Sequence, residues 1–163
     1  MISERYLDKL ETAMALKQGR KPCEILLVDL PETYCNVLSM FEREGNLIIF
    51  NKDIIDQVSE LEVIASMIHE GRHAYQWYQV SNPNKSEENQ ETLNLWKKEF
   101  SLYSQPLNNE NNLEYASQSI EIDAVAYTSL EIENISEGEL IIPKEILNIV
   151  NERKEVLKLR NIM

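Results

Sequence analysis

The chain is poor in histidine and cysteine, with two of each in 163 residues. It also lacks any cluster of lysine and arginine: 16 basic residues are outnumbered by 28 acidic ones, for a formal net charge of −12. Each shortage excludes something. Without a basic patch there is nothing to neutralise a run of phosphates, so nucleic acid and anionic membrane surfaces are not expected partners. No apolar stretch approaches the roughly 20 residues of a membrane span. The run from Met1 to Leu10 alternates charged and apolar residues and contains no signal-peptide core. A cytoplasmic protein is expected. Cys23 and Cys35 cannot build a disulfide framework, and neither has a close cysteine or histidine neighbour. Both are expected to be small buried apolar residues.

Because histidine is scarce, the placement of the two is informative. They fall in His69-Glu70-Gly71-Arg72-His73, four residues apart with a glutamate after the first. On an α-helix, residues i and i+4 share a face one turn apart, so both imidazoles can reach one metal ion. The glutamate projects nearby, where it can handle a water on that metal. The preceding run Leu61-Glu62-Val63-Ile64-Ala65-Ser66-Met67-Ile68 is apolar round most of the helix, which predicts a buried element. Two histidines and a carboxylate on such a helix need partners, since unpaired buried polar groups cost about 1–3 kcal/mol each. A metal would satisfy them.

With 43% hydrophobic residues the chain is expected to form one domain over 1–163. Helical spacing from Ser3 to about Gln18, closed by Gly19, predicts a first amphipathic helix. Glu24–Leu30, bounded by prolines, suits a buried strand. Tyr34–Glu42 and Asn46–Asn51 flank Arg43-Glu44-Gly45 and predict a β-hairpin, with a short helix after Pro31 as the alternative for the first arm. The motif helix is expected from Asp53 to about Gln79, interrupted near Val58-Ser59, where Ser59 and Glu62 fit a capping box. Further helices are expected over about Glu91–Tyr103, Leu113–Ile132 and from Pro143 to about Leu159. Asparagine-rich loops are expected at Ser81–Asn89 and Gln105–Asn112.

A catalytic zinc site needs a third protein ligand and one open position. No histidine is left, so the third must be a carboxylate or a cysteine. The helix after Leu113 offers Glu114, Glu121 and Asp123. Glu121 shares a stripe with Gln118, Ala124 and Val125 and can approach a neighbouring helix closely. Asp123 lies about 200° round the helix from it, so both cannot face one metal. Most glutamates are solvated surface carboxylates, and Glu121 is the favoured ligand only in company with the histidine motif.

His69-Glu70-Gly71-Arg72-His73, followed 48 positions later by Glu121-Ile122-Asp123-Ala124-Val125-Ala126-Tyr127, resembles the gluzincin metallopeptidases. In these a downstream helix carries a glutamate three residues before an alanine. The small size and the hairpin ahead of the motif helix are similar to the minigluzincins, including the ImmA/IrrE-like peptidases. The resemblance covers roughly Val37 to Leu130. It implies an α+β zincin-like fold: a small, mainly antiparallel sheet packed on the motif helix, a further helix with the third ligand, and a mostly helical C-terminal half. It also implies Zn2+ held by His69, His73 and Glu121, Glu70 as general base, and the strand Leu47–Asn51 as the sheet edge on which an extended peptide pairs. Many relatives carry aspartate or asparagine right after the alanine, to orient a ligand histidine, whereas this chain has Val125.

The expected function is a zinc-dependent metallopeptidase acting on a protein or peptide substrate. Tyr127 is the favoured donor to the oxyanion, with Tyr75, Tyr78 and Arg72 as other candidates. The competing reading is a non-catalytic, zinc-stabilised regulatory or protein-binding module, against which the presence of Glu70 speaks. A purely structural site has no use for a general base.

Overall fold

The computed structural model describes residues 2–102 and 112–162, an α+β arrangement in which helices predominate. Helix α1 (Glu4–Gln18) starts at Ser3, whose hydroxyl accepts the Tyr6 amide at 3.2 Å. It ends at Gly19, which takes the left-handed conformation at φ 66°. Three strands follow: β1 (Glu24–Val28), β2 (Ser39–Glu42) and β3 (Leu47–Asn51). Of the first hairpin arm expected from Tyr34, only Ser39–Glu42 pairs. Upstream of it, Glu32–Tyr34 is a single 3-10 turn after Pro31, the alternative left open by the proline.

The sheet is mixed rather than mainly antiparallel. Its order is β1-β3-β2, with β1 parallel and β2 antiparallel to β3. The last strand inserts between the first two because its apolar side chains need cover from both sides; Ile48 and Phe50 are fully buried. This corrects a second expectation: Leu47–Asn51 is hydrogen-bonded on both flanks and cannot be a sheet edge. The outer sides of β1 and β2 are the edges. In the β2–β3 connection Asn46, not Gly45, adopts the left-handed conformation, at φ 56°.

After the single turn α2 (Lys52–Ile55), helix α3 (Glu60–Ser81) runs through the middle of the molecule. Its start is the expected capping box: Ser59 Oγ accepts the Glu62 amide, and the Glu62 carboxylate accepts the Ser59 amide, both at 3.2 Å. One face buries Val63, Met67 and Ala74 with Leu7 of α1 and with Ile25, Ile48 and Phe50 of the sheet. The opposite face buries Ala65 and Ile68 against α6 (Ser119–Ile135) and α7 (Lys144–Ile162). Its last turns pack Tyr75 on Trp96 and Phe100 of α4 (Gln90–Leu102). Covered on three sides, α3 holds whatever it carries rigidly.

The helix expected over Leu113–Ile132 is two helices, α5 (Asn112–Ala116) and α6. The break comes at Gln118, which is extended at ψ 143°. Glu99 of α4 causes it: its carboxylate accepts the Ser119 amide at 2.8 Å, the Ser119 hydroxyl at 2.9 Å and the Ile120 amide at 2.9 Å. A carboxylate on freshly exposed helix amides stabilises a new N-terminus. The loop expected from Gln105 lies outside the described residues, except for Asn112, which opens α5. The cysteines differ from each other. Cys23 is buried and Cys35, in the loop after the 3-10 turn, is exposed, contrary to expectation. Burial and then the Glu11 carboxylate push the Cys23 thiol up to about 12, so it stays protonated and inert.

Gly71 lets α1 reach the motif helix. A methyl group there would meet Arg20 Nη2 at 2.8 Å and Glu11 Oε2 at 3.1 Å. Those atoms cannot swing aside. Arg20 and Glu11 form a two-pronged ion pair at 2.5 and 3.1 Å, each side chain 1% exposed, and Glu11 also accepts the Cys23 amide at 2.9 Å. Gly71→Ala should therefore cost about 1–3 kcal/mol of overpacking, offset by about 1 kcal/mol of helix propensity. Thermal unfolding should show a melting temperature lower by a few degrees; a higher one would mean that the ion pair yields.

Candidate metal centre

The middle turns of α3 and the first turn of α6 bring His69, His73 and Glu121 together. His69 Nε2 and His73 Nε2 are 3.1 Å apart. Glu121 Oε2 is 3.1 Å from the first and Glu121 Oε1 is 2.9 Å from the second. Two imidazole nitrogens and a carboxylate converging this closely present more lone pairs than protons. A shared cation satisfies all three, and the group has the composition and spacing to hold a metal ion. His73 and Glu121 are buried, whereas His69 is partly open, so the cluster is reached from the His69 side.

The electrostatics of the cluster point the same way. Burial alone would lower the His73 pKa, but the Glu121 carboxylate outweighs it, with Glu70 adding to the effect, and raises His73 to about 9. Burial acts on Glu121 in the opposite sense; His73 and His69 override it and hold its carboxyl well below the usual range. The pocket is built for positive charge beside a carboxylate that stays ionised.

Glu70 stands beside this cluster and is 7% exposed. Its Oε1 accepts a hydrogen bond from Ser39 Oγ of β2 at 3.1 Å, and Ser39 is in turn bonded to Ser66 one turn earlier on α3. Its Oε2 is buried and has no hydrogen-bond partner among the described residues. A buried carboxyl oxygen left this way is costly unless something binds to it. Ser39 and Ser66 give no signal in the linear pattern, because a strand edge and a helix turn meet only in the fold.

The oxyanion candidates are placed elsewhere. Arg72 is turned away from the cluster into a forked pair with Asp123, at 2.7 and 3.1 Å, sandwiched between the rings of Tyr75 at 3.8 Å and Tyr127 at 4.5 Å. Tyr127 is about 240° round the helix from Glu121, and it lines a polar cavity with Gln18, Arg72 and Tyr75 that none of the three converging ligands borders. The Tyr75 hydroxyl donates to Glu87 at 2.5 Å and Glu88 at 2.9 Å. Tyr78 lies with Arg43, Ala74 and Trp77. The fold gathers His69, Glu70, His73 and Glu121, and leaves Tyr127 with Arg72. One group that the sequence reading did not name is close by: Gln76 touches His73, and it also donates to Asp123, the carboxylate passed over as a ligand, which is the hub of the buried ion pairs. Gln76 was readable, since it follows His73 by three positions on a helix.

Among the described residues no helix is long and apolar enough to cross a membrane. In comparisons with known proteins, no family model, no curated protein and no solved structure matches this chain.

Proposed function

We propose that the chain is a zinc-dependent metallopeptidase of the gluzincin type, zincin-like in fold, with His69, His73 and Glu121 as metal ligands and Glu70 as general base. The observation that carries this reading is Glu70 Oε2, a buried, unpartnered carboxylate oxygen beside a three-ligand cluster. Two imidazoles and one carboxylate suit zinc, whose tetrahedral shell at bonds of about 2.0–2.1 Å separates ligand atoms by about 3.3 Å. The two imidazole nitrogens sit slightly closer than that, 3.1 Å apart, and each lies 2.9–3.1 Å from a different oxygen of Glu121. Three protein ligands leave the fourth position for water or substrate.

Zinc bound there would polarise the scissile carbonyl and bring the pKa of a water toward neutrality. Glu70 would accept a proton from the attacking water on Oε2 as its oxygen bonds to the carbonyl carbon. It would return the proton to the leaving amine as the C–N bond breaks. Ser39 holds the other carboxylate oxygen and so fixes the rotamer. Because Ser39 opens β2, the unpaired edge of that strand lies beside the base, and an extended peptide adding to it would bring its backbone to the site. The substrate is a protein or peptide. The cysteines, both free, suit action in the reducing cytoplasm.

Elemental analysis of protein purified without added metal should find about one zinc per chain, the stoichiometry of a single three-ligand set with one open position. Chelation should abolish cleavage of a fluorogenic peptide library, and added zinc should restore it. A chain that carries no zinc and takes up none on titration overturns the proposal.

A further inference from the structure

His73 Nδ1 lies 2.8 Å from Gln76 Oε1, and the other end of that carboxamide is fully committed. Gln76 Nε2 donates to the Ile120 carbonyl at 2.8 Å and to Asp123 Oδ2 at 2.7 Å. Both of those are acceptors only, so the amide cannot be flipped without setting oxygen against two oxygens. Oε1 therefore faces the ring, and Oε1 can only accept. His73 must carry its hydrogen on Nδ1, which in the neutral ring leaves the lone pair on Nε2, the atom that converges with His69 and Glu121.

The carboxamide cannot drift, because its anchor is pinned. Asp123 accepts from Arg72 Nε at 2.7 Å and Nη2 at 3.1 Å, and from Arg153 Nε of α7 at 2.7 Å. Gln76 itself has no exposed surface. The choice of an amide over an acid follows from the same contacts. A carboxylate at 76 would accept from His73 equally well, but it would stand 2.7 Å from the ionised Asp123. Only a carboxamide accepts at one end and donates at the other.

We propose that Gln76, fixed by Asp123 and the Ile120 carbonyl, is a positioning residue that sets the tautomer and ring orientation of His73 for metal binding. In this chain it does from the motif helix itself what a residue at position 125 would do from α6, where Val125 offers no polar atom. The inference rests on the metal-site reading above.

The test measures zinc affinity by competition with a chromophoric chelator, and the visible spectrum of the cobalt-substituted protein, on the parent, Gln76→Met and Gln76→Glu. Each is assayed at a temperature where circular dichroism shows the metal-free chain folded. Gln76→Met keeps the volume and loses the acceptor. It should bind one equivalent about 10- to 100-fold more weakly, with shifted cobalt bands. Gln76→Glu restores the acceptor and should recover most of the affinity and the parent spectrum, in a chain that melts lower because two carboxylates now adjoin. Parent-like affinity and spectrum in Gln76→Met overturn the proposal, as does Gln76→Glu binding no better than Gln76→Met. A parent that takes up no metal overturns the site itself, a different result from a parent that binds and variants that match it.

Discussion

Glu70→Gln is expected to lower peptide hydrolysis by about 100- to 10,000-fold, the usual contribution of a positioned general base, while leaving about one zinc per chain in place. The two results must occur together, because the substitution is nearly isosteric and Glu70 is not one of the three converging ligands. The Ser39 hydroxyl at 3.1 Å can bond to the glutamine oxygen as it does to the carboxylate, so the rotamer should persist. What changes is the second oxygen, Oε2, which has no partner among the described residues and becomes an amide nitrogen unable to accept a proton. Cleavage of the peptide library and elemental analysis, run on the same preparation, decide the matter. Undiminished turnover removes Glu70 from the mechanism. Lost zinc would make it a ligand. Zinc retained in a parent that cleaves nothing would favour the zinc-stabilised binding module.

The parts of this molecule readable in the sequence are those governed by chemistry within a few residues. Ser59 and Glu62 announce the start of α3 because a capping box spans three positions. Gly19 ends α1 because the left-handed conformation is a property of one residue. His69 and His73 are legible as a pair because helical periodicity alone puts them on one face. Contacts between distant segments set the remainder. The break at Gln118 depends on Glu99 of α4, and β3 becomes the central strand only when β1 and β2 close on both sides of it. Tyr127 shares a helix with Glu121, but six residues put it about 240° round that helix, so only its stacking on Arg72 depends on the fold. Asp123 is a case between these. Its angular separation from Glu121 follows from helical geometry, but its task depends on two arginines 51 positions before it and 30 after.

That task predicts a large loss of stability when Asp123 is replaced. Asp123 is 2% exposed and joins Arg72 of α3, Arg153 of α7 and Gln76 through four hydrogen bonds of 2.7–3.1 Å. Asp123→Ala would leave the buried Arg72 guanidinium with Glu88, 4.0 Å away, as its remaining anion, and Glu88 is already engaged by Arg153 and Arg160. Removing one partner of a buried pair typically costs about 3–5 kcal/mol. At about 2–4 °C per kcal/mol for a chain of this size, the melting temperature should fall by about 6–20 °C. Glu155→Ala, which breaks only the exposed pair with Lys158, should leave it nearly unchanged. The pH dependence carries a second signature. Burial would raise the Asp123 carboxyl, but Arg72 and then Arg153 outweigh it and hold it well below its ordinary value of 3.8. Between those two values the unfolded chain binds a proton that the folded chain does not, so stability rises with pH there. The contribution of Asp123 is complete above about pH 4 and drains away as the pH falls toward its folded-state value. Below about pH 4, therefore, Asp123→Ala should show a shallower loss of stability with acid than the parent, the residual slope coming from Glu88 and Glu121, whose carboxyls are also held low. Acid slopes of equal steepness in the two proteins, or a melting temperature no lower than that of Glu155→Ala, would show that Arg72 and Arg153 find compensation elsewhere and that α7 is not tied to the motif helix through this carboxylate.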